Sequence, residues 1–293
     1  MKATDITVNT PLSFLFKGPF GFGKTLAAAS FALGGPVYLS YWDKKSPIEL
    51  IQYFSPKRFG KELSERILDN ITFDVYSADN AGDYLNKMIG FMNDCRYFAI
   101  VNDSLTFMTA SAVNWSMNFG KNPNALKKIK DVLPDWDEYK VETSLVTQCI
   151  DLSKKLPCHV IWTAHPLPTT KVEGSGGSIT VSKINSIVSY GSKVAGIVPG
   201  SFTEIYHFSQ RSEWSTQGSS GKKFICSLEA IGDDFAKSPM LGDYIKELEY
   251  TDKLFYQVWK EALDKSRGIE PKEDLSKTDL AESLRTNTTK WKV

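Results

Sequence analysis

Histidine and cysteine are scarce in this chain: three of the one (His159, His165, His207) and four of the other (Cys95, Cys149, Cys158, Cys226), with no C-x-x-C pair. Zinc-ligand spacing is therefore absent, and the cysteines read as reduced thiols buried in a core. No apolar run approaches the ~18 residues of a membrane span, and the first residues lack a charged stretch followed by a long apolar one. The expectation is a protein of a reducing compartment, cytoplasmic and with no membrane partner. An excess of one charge is missing too. The 35 Lys and Arg against 34 Asp and Glu leave +1, so the chain cannot coat duplex DNA by charge alone and any nucleic-acid site has to be local.

What the sequence does have is apolar residues, 42% of 293, enough to close a substantial core. They are grouped in alternating patterns. Leu12 to Phe16 is a short apolar run ending at a glycine-rich turn, and Lys24 to Leu33 reads as an alanine-rich helix closed by Gly34-Gly35-Pro36. Strands are predicted at Val37 to Trp42, Ile71 to Tyr76, Tyr97 to Val101 and Cys158 to Thr163. Helical spacing falls between them, at Lys61 to Leu68, Ala81 to Asp94 and Tyr139 to Lys155, with Tyr84, Leu85, Met88, Ile89 and Met92 forming one face of the second. This alternation predicts an α/β fold, mostly parallel with helices on both faces. Phe202 to Ser209 and Lys223 to Leu228 read as strands flanking a Gly/Ser-rich tip at Gly218 to Gly221, making the C-terminal part β-rich. Met108 to Pro134 reads as an irregular insertion, and Thr169 to Ser182, with Gly174-Ser175-Gly176-Gly177-Ser178, as a mobile loop. One domain over 1–266 is expected, followed by a flexible tail over 267–293 with a short helix near Asp279 to Leu284.

The sharpest chemical signal is Gly18-Pro19-Phe20-Gly21-Phe22-Gly23-Lys24-Thr25, a G-x-x-x-x-G-K-T segment entered by a strand and left by a helix. Glycines at that spacing let successive backbone N–H groups converge on phosphates; Lys24 then reaches the β/γ oxygens and the Thr25 hydroxyl joins a Mg²⁺ shell. The expected ligands are ATP and Mg²⁺. A metal held this way also needs a carboxylate at the end of a neighbouring strand, and Asp103 closes one; as an alternative, Asp103 caps the helix that follows.

These segments together resemble the RecA-like P-loop ATPases carried by bacteriophages, which include recombinases related to RecA and Rad51. The resemblance spans roughly residues 10 to 265. It rests on Gly18 to Thr25, on Tyr97 to Thr106 with Asp-Ser-Leu-Thr, on Val160 to Pro166 ending Thr-Ala-His-Pro, and on Asp234-Phe235-Ala236-Lys237-Ser238. It implies a RecA-like core and an ATPase working as a head-to-tail oligomer or filament. It also implies that the acid ending the strand after the P-loop helix, here Asp43 where RecA itself has a glutamate, activates the attacking water. By the same resemblance His165 senses the γ-phosphate, and Lys237 reaches the site of a neighbouring subunit; the arginine that often follows in the family is not matched here, where Pro239 stands nearby, so a second finger is either missing or supplied by Arg211. Plain alternatives are a solvated loop acid for Asp43, a part-buried histidine for His165 and a surface cation for Lys237. The loops after the Asp103 and His165 strands would face single-stranded DNA: Met108 to Pro134, with Lys121, Lys127, Lys128, Lys130, Trp115 and Phe119, and Thr169 to Ser182, edged by Lys171 and Lys183. The function implied is DNA recombination or single-strand annealing. A packaging or helicase-type motor, or a nucleotide-switched assembly ATPase that binds protein, remain alternatives. An arginine-rich lid of the kind a small-molecule kinase uses is absent.

Overall fold

A computed structural model describes residues 11–43, 47–53, 55–119, 134, 136–173, 180–187, 198–214, 220–230 and 236–269. The first half alternates as the apolar pattern requires: β1 (Ser13–Lys17), α1 (Lys24–Ala29), a 3-10 turn (Ser30–Leu33), β2 (Val37–Tyr41), α2 (Pro47–Tyr53), α3 (Ser55–Phe59), α4 (Lys61–Asp69), β3 (Ile71–Val75), α5 (Ala81–Asn93) and β4 (Ala99–Asp103). Then come α6 (Leu105–Phe119), α7 (Trp136–Ser153), β5 (His159–Ala164), the pair β6 (Pro166–Glu173) and β7 (Thr180–Ile187), β8 (Glu204–Trp214), β9 (Ser220–Ser227), β10 (Glu247–Glu249) and α8 (Phe255–Ser266).

Eight strands form one sheet in the order β10-β9-β8-β1-β5-β4-β2-β3. From β8 to β3 every pairing is parallel, whereas β9 and β10 are added antiparallel. The central strands β1, β2, β4 and β5 are buried on both faces, and the period-2 alternation of side chains sorts the apolar residues into two cores. Phe14, Phe16, Val37, Leu39, Val101 and Ile161 face one core, closed by Ala27 to Ala29 of α1, Ile67 of α4 and Phe255 and Trp259 of α8. Leu15, Tyr38, Ile100, Val160 and Trp162 face the other, closed by α5, α6 and α7. This is an α/β fold with a mostly parallel sheet, helices on both faces and a β-rich C-terminal part, as the sequence predicts.

Three expectations are corrected. The stretch read as irregular from Met108 is α6 up to Phe119, because Met108, Ala112 and Ser116 recur at i, i+4 and are buried against the second core. Residues 120–133, with the four lysines, lie outside the described residues. The loop expected over Thr169 to Ser182 is mostly a two-stranded ladder, running from Pro166↔Ile187 to Glu173↔Thr180; the glycines that argued against packing are confined to 174–179, outside the described residues. In α5 the buried face is Ala81, Tyr84, Met88 and Phe91, while Ile89 and Met92 are exposed. The real stripe runs through Phe91, which the i, i+4 reading through Ile89 and Met92 passed over. The tail helix near Asp279 and the tip residues 215–219 also lie outside the described residues.

Candidate nucleotide site

All parallel strands end on the same edge of the sheet, which is where open α/β sheets bind ligands. The P-loop leaves β1 there, Asp103 is the last residue of β4, Asp43 follows β2 and His165 follows β5. Sequence positions as far apart as 24 and 165 therefore meet at one place.

The loop is shaped by its glycines and by the C-terminal strands. Gly23 has φ 83° immediately before α1, a left-handed conformation that side-chain-bearing residues rarely adopt. A Cβ on Gly18 would collide with the carbonyl of Phe208 on β8, so the loop can lie this close to β8 only as glycine. From outside the motif, Gln210 Nε2 donates to the Gly21 carbonyl at 3.1 Å and the Tyr250 hydroxyl donates to the Phe22 carbonyl at 2.8 Å. Two loop carbonyls are thus held by the β-rich part. This fits a loop whose N–H groups serve an anion.

Lys24 is buried, and its amine donates to the Gly18 carbonyl at 2.6 Å and the Pro19 carbonyl at 2.8 Å and meets His165 Nδ1 at 3.2 Å. An ammonium has three N–H donors, so all three are engaged within the protein. Burial lowers its pKa to about 8, against the Asp103 charge, which acts to raise it. Burial, with the Lys24 charge second, lowers His165 to about 4, so the imidazole is neutral near pH 7 and Nδ1 can accept from Lys24. The His165 ring stacks on Phe20 at 3.7 Å between centroids, and its backbone N–H donates to Thr106 Oγ1 at 3.0 Å. Phe20, 68% exposed, therefore covers the histidine like a cap.

The Asp103 carboxylate accepts from the Thr25 hydroxyl at 2.7 Å through one oxygen and from the Thr163 hydroxyl through the other. Burial raises its pKa, while these two hydroxyls and Lys24 oppose the rise. It does not cap α6. That role falls to Ser104, whose Oγ accepts from the Phe107 N–H at 3.4 Å. Thr25 and Asp103 together are an oxygen donor set suited to a hard cation such as Mg²⁺, held partly through water. Asp43 follows the β2 end that runs beside Asp103: Tyr41 is paired with Asp103, and the Trp42 N–H donates to the Asp103 carbonyl at 2.8 Å. Burial pushes the Tyr41 hydroxyl up, and the charges of Asp103, Asp43 and Glu49 add to this.

Lys237 and Arg211 stand apart from this cluster. Lys237 is exposed and pairs through its backbone with Ile205, which lies beside Leu15, two residues before the end of β1. Arg211 makes an ion pair with Glu247 at 2.6 Å. Trp115, expected beside DNA, packs against the second core. The side chains of Phe119, Lys171 and Lys183 lie outside the description. Four contributors went unnoticed in the sequence. Thr163 and Thr106 sit inside the segments that carry the family resemblance, so a signal was there to be read. Gln210 and Tyr250 carried none, since each is tied to the P-loop only through the tertiary fold.

Neither a scan against protein-family models nor a search of curated proteins found a match. Among solved structures, the chain is similar to the crystal structure of flagellar accessory protein FlaH from Methanocaldococcus jannaschii. The match has 11% identity and a TM-score of 0.42, covering 82% of this chain and 84% of that one.

Proposed function

We propose that the protein is an ATPase whose nucleotide cycle drives DNA recombination or single-strand annealing, acting on single-stranded DNA as a head-to-tail oligomer of the bacteriophage RecA-like type. The observation that carries the ATPase reading is the convergence of Lys24, Thr25, Asp103, Asp43 and His165 on one sheet edge, next to a loop only glycine can form. In this reading the P-loop amides and Lys24 bind the phosphates. Thr25 and Asp103 would hold Mg²⁺, which would neutralise charge on the phosphate oxygens. Asp43 orients a water and accepts its proton as the water oxygen attacks the terminal phosphorus; the phosphoanhydride bond breaks and ADP leaves. A phosphate oxygen approaching Lys24 has to replace one of its three present acceptors. Replacing His165 would free the residue directly before β6, coupling the nucleotide to the β6–β7 ladder.

Asp43→Asn should leave ATP affinity unchanged and lower turnover about 10²–10⁴-fold, the range for loss of a general base. Equilibrium binding of a fluorescent ATP analogue beside steady-state hydrolysis separates the two effects. Parallel losses in both would show that Asp43 holds the structure or the nucleotide instead.

The DNA reading is tested by ATP hydrolysis with and without single-stranded oligonucleotide over a range of salt concentrations. Stimulation that fades as salt rises is expected, because backbone phosphate contacts release counterions. One observation favours a second reading, a nucleotide-switched assembly ATPase that docks a protein: Trp115, the aromatic expected to stack on bases, is half-buried against the second core. Salt-independent turnover indifferent to polynucleotide would select that reading.

A further inference from the structure

At the edge of the sheet opposite the nucleotide site, two cysteines distant in sequence meet. Cys95 lies between α5 and β4 and Cys158 immediately precedes β5; β4 and β5 are adjacent, with Ala99 opposite His159. Their sulfurs are 3.5 Å apart across a sequence separation of 63 residues. A disulfide needs about 2.05 Å, so side-chain rotation with a small shift of either loop closes the gap. Access is unequal: Cys158 is buried at 5% exposure, whereas Cys95 is only half-buried. The hydrogen bond that the Cys95 and Cys158 thiols share holds the Cys95 pKa below the usual thiol value. Cys149 and Cys226 are buried, and burial pushes both thiols up, which leaves them inert.

We propose that Cys95 and Cys158 form a peroxide-responsive dithiol, in which Cys95 is the attacking thiol and Cys158 the resolving one. The Cys95 thiolate attacks a peroxide oxygen; the O–O bond breaks, an S–O bond forms, and the departing hydroxide takes a proton to become water. The Cys158 sulfur then attacks Cys95 Sγ. The S–S bond forms, the S–O bond breaks, and the second hydroxide leaves as water with the Cys158 proton. Both electrons that reduce hydrogen peroxide to two waters come from the two thiols. The disulfide staples the starts of β4 and β5, whose far ends carry Asp103 and His165, and closes a long loop in the unfolded chain.

The test is titration of the full chain with one to a few equivalents of hydrogen peroxide, followed by alkylation, intact mass measurement and non-reducing peptide mapping. The expected product is monomeric, lighter by about 2 Da before alkylation and spared alkylation at both cysteines after it, yields a Cys95–Cys158 linked peptide and reverts with dithiothreitol. Its melting temperature should rise by about 5–10 °C, the size expected for a cross-link over this length in a chain of this size. In Cys158→Ser a dimedone-reactive sulfenic acid should collect on Cys95; in Cys95→Ser the remaining Cys158 thiol should not react. Three results would overturn the proposal in wild-type protein, without reliance on either variant: Cys95 passing to sulfinic acid with no cross-link, linkage only between chains, or no reaction at peroxide levels that oxidise an exposed control thiol.

Discussion

Lys24→Ala should lower ATP turnover by at least about 10²–10³-fold, the loss seen when one preorganised group facing transition-state charge is removed. Nucleotide affinity should fall with it, because the lysine faces bound phosphates as well as the transition state. The chain should still fold: the Lys24 amine is held by two backbone carbonyls and a neutral histidine, and although its removal takes a nearby positive charge from the buried Asp103 carboxylate, the Thr25 and Thr163 hydroxyls still donate to that group. Circular dichroism checks the fold and a turnover assay checks the loss; unimpaired hydrolysis by purified Lys24→Ala would remove the P-loop assignment. The lysine also sets a pH signature. Its pKa lies near 8, so in the unbound protein the amine loses its charge as pH rises through that value. Phosphate favours the charged form, and ATP binding should therefore weaken above about pH 8 and release the dependence in Lys24→Ala.

Most of this site was legible because each piece sits in a contiguous segment. The candidate phosphate cradle, Gly18 to Thr25, is eight contiguous residues directly after a strand, and Asp103 and His165 each close an apolar run short enough to be a buried strand. What the sequence withheld is contact between segments. Nothing near Gln210 or Tyr250 indicates that they hold P-loop carbonyls, and nothing near Cys95 indicates that it will lie beside Cys158. The misread segments share a different cause. Asn, Gly and Lys crowd the region after Ser116, and their breaker character was extended backwards over α6, where the i, i+4 burial of Met108, Ala112 and Ser116 prevails. In the same way, the glycines of 174–179 were allowed to speak for the flanking residues, whose Thr and Val content suits paired strands.

Asp103→Asn carries the second large effect, and its pattern differs from that of Lys24. The side chain is nearly isosteric, and the two threonine hydroxyls that now donate to it can each rotate, so that Thr163 or Thr25 accepts from the new amide while the other still donates. The β4–β5 pairing should survive. What disappears is the charge that, with the Thr25 hydroxyl, supports a hard cation. Hydrolysis should fall about 10²-fold, and the Mg²⁺ concentration for half-maximal turnover should rise about 10–100-fold, the usual cost of removing a group that holds a metal's shell. ATP binding without metal should be unchanged or tighter, since one negative charge beside the phosphates has gone. The wild-type protein should add a pH dependence that the variant lacks. Burial raises the Asp103 pKa, so protons compete with the cation at a higher pH than for an exposed carboxylate, and Mg²⁺ affinity should fall as pH drops through that raised value. Titrating turnover with Mg²⁺ at several pH values for both proteins reads both effects, and identical Mg²⁺ curves would confine Asp103 to bracing Thr25 and Thr163 within the fold.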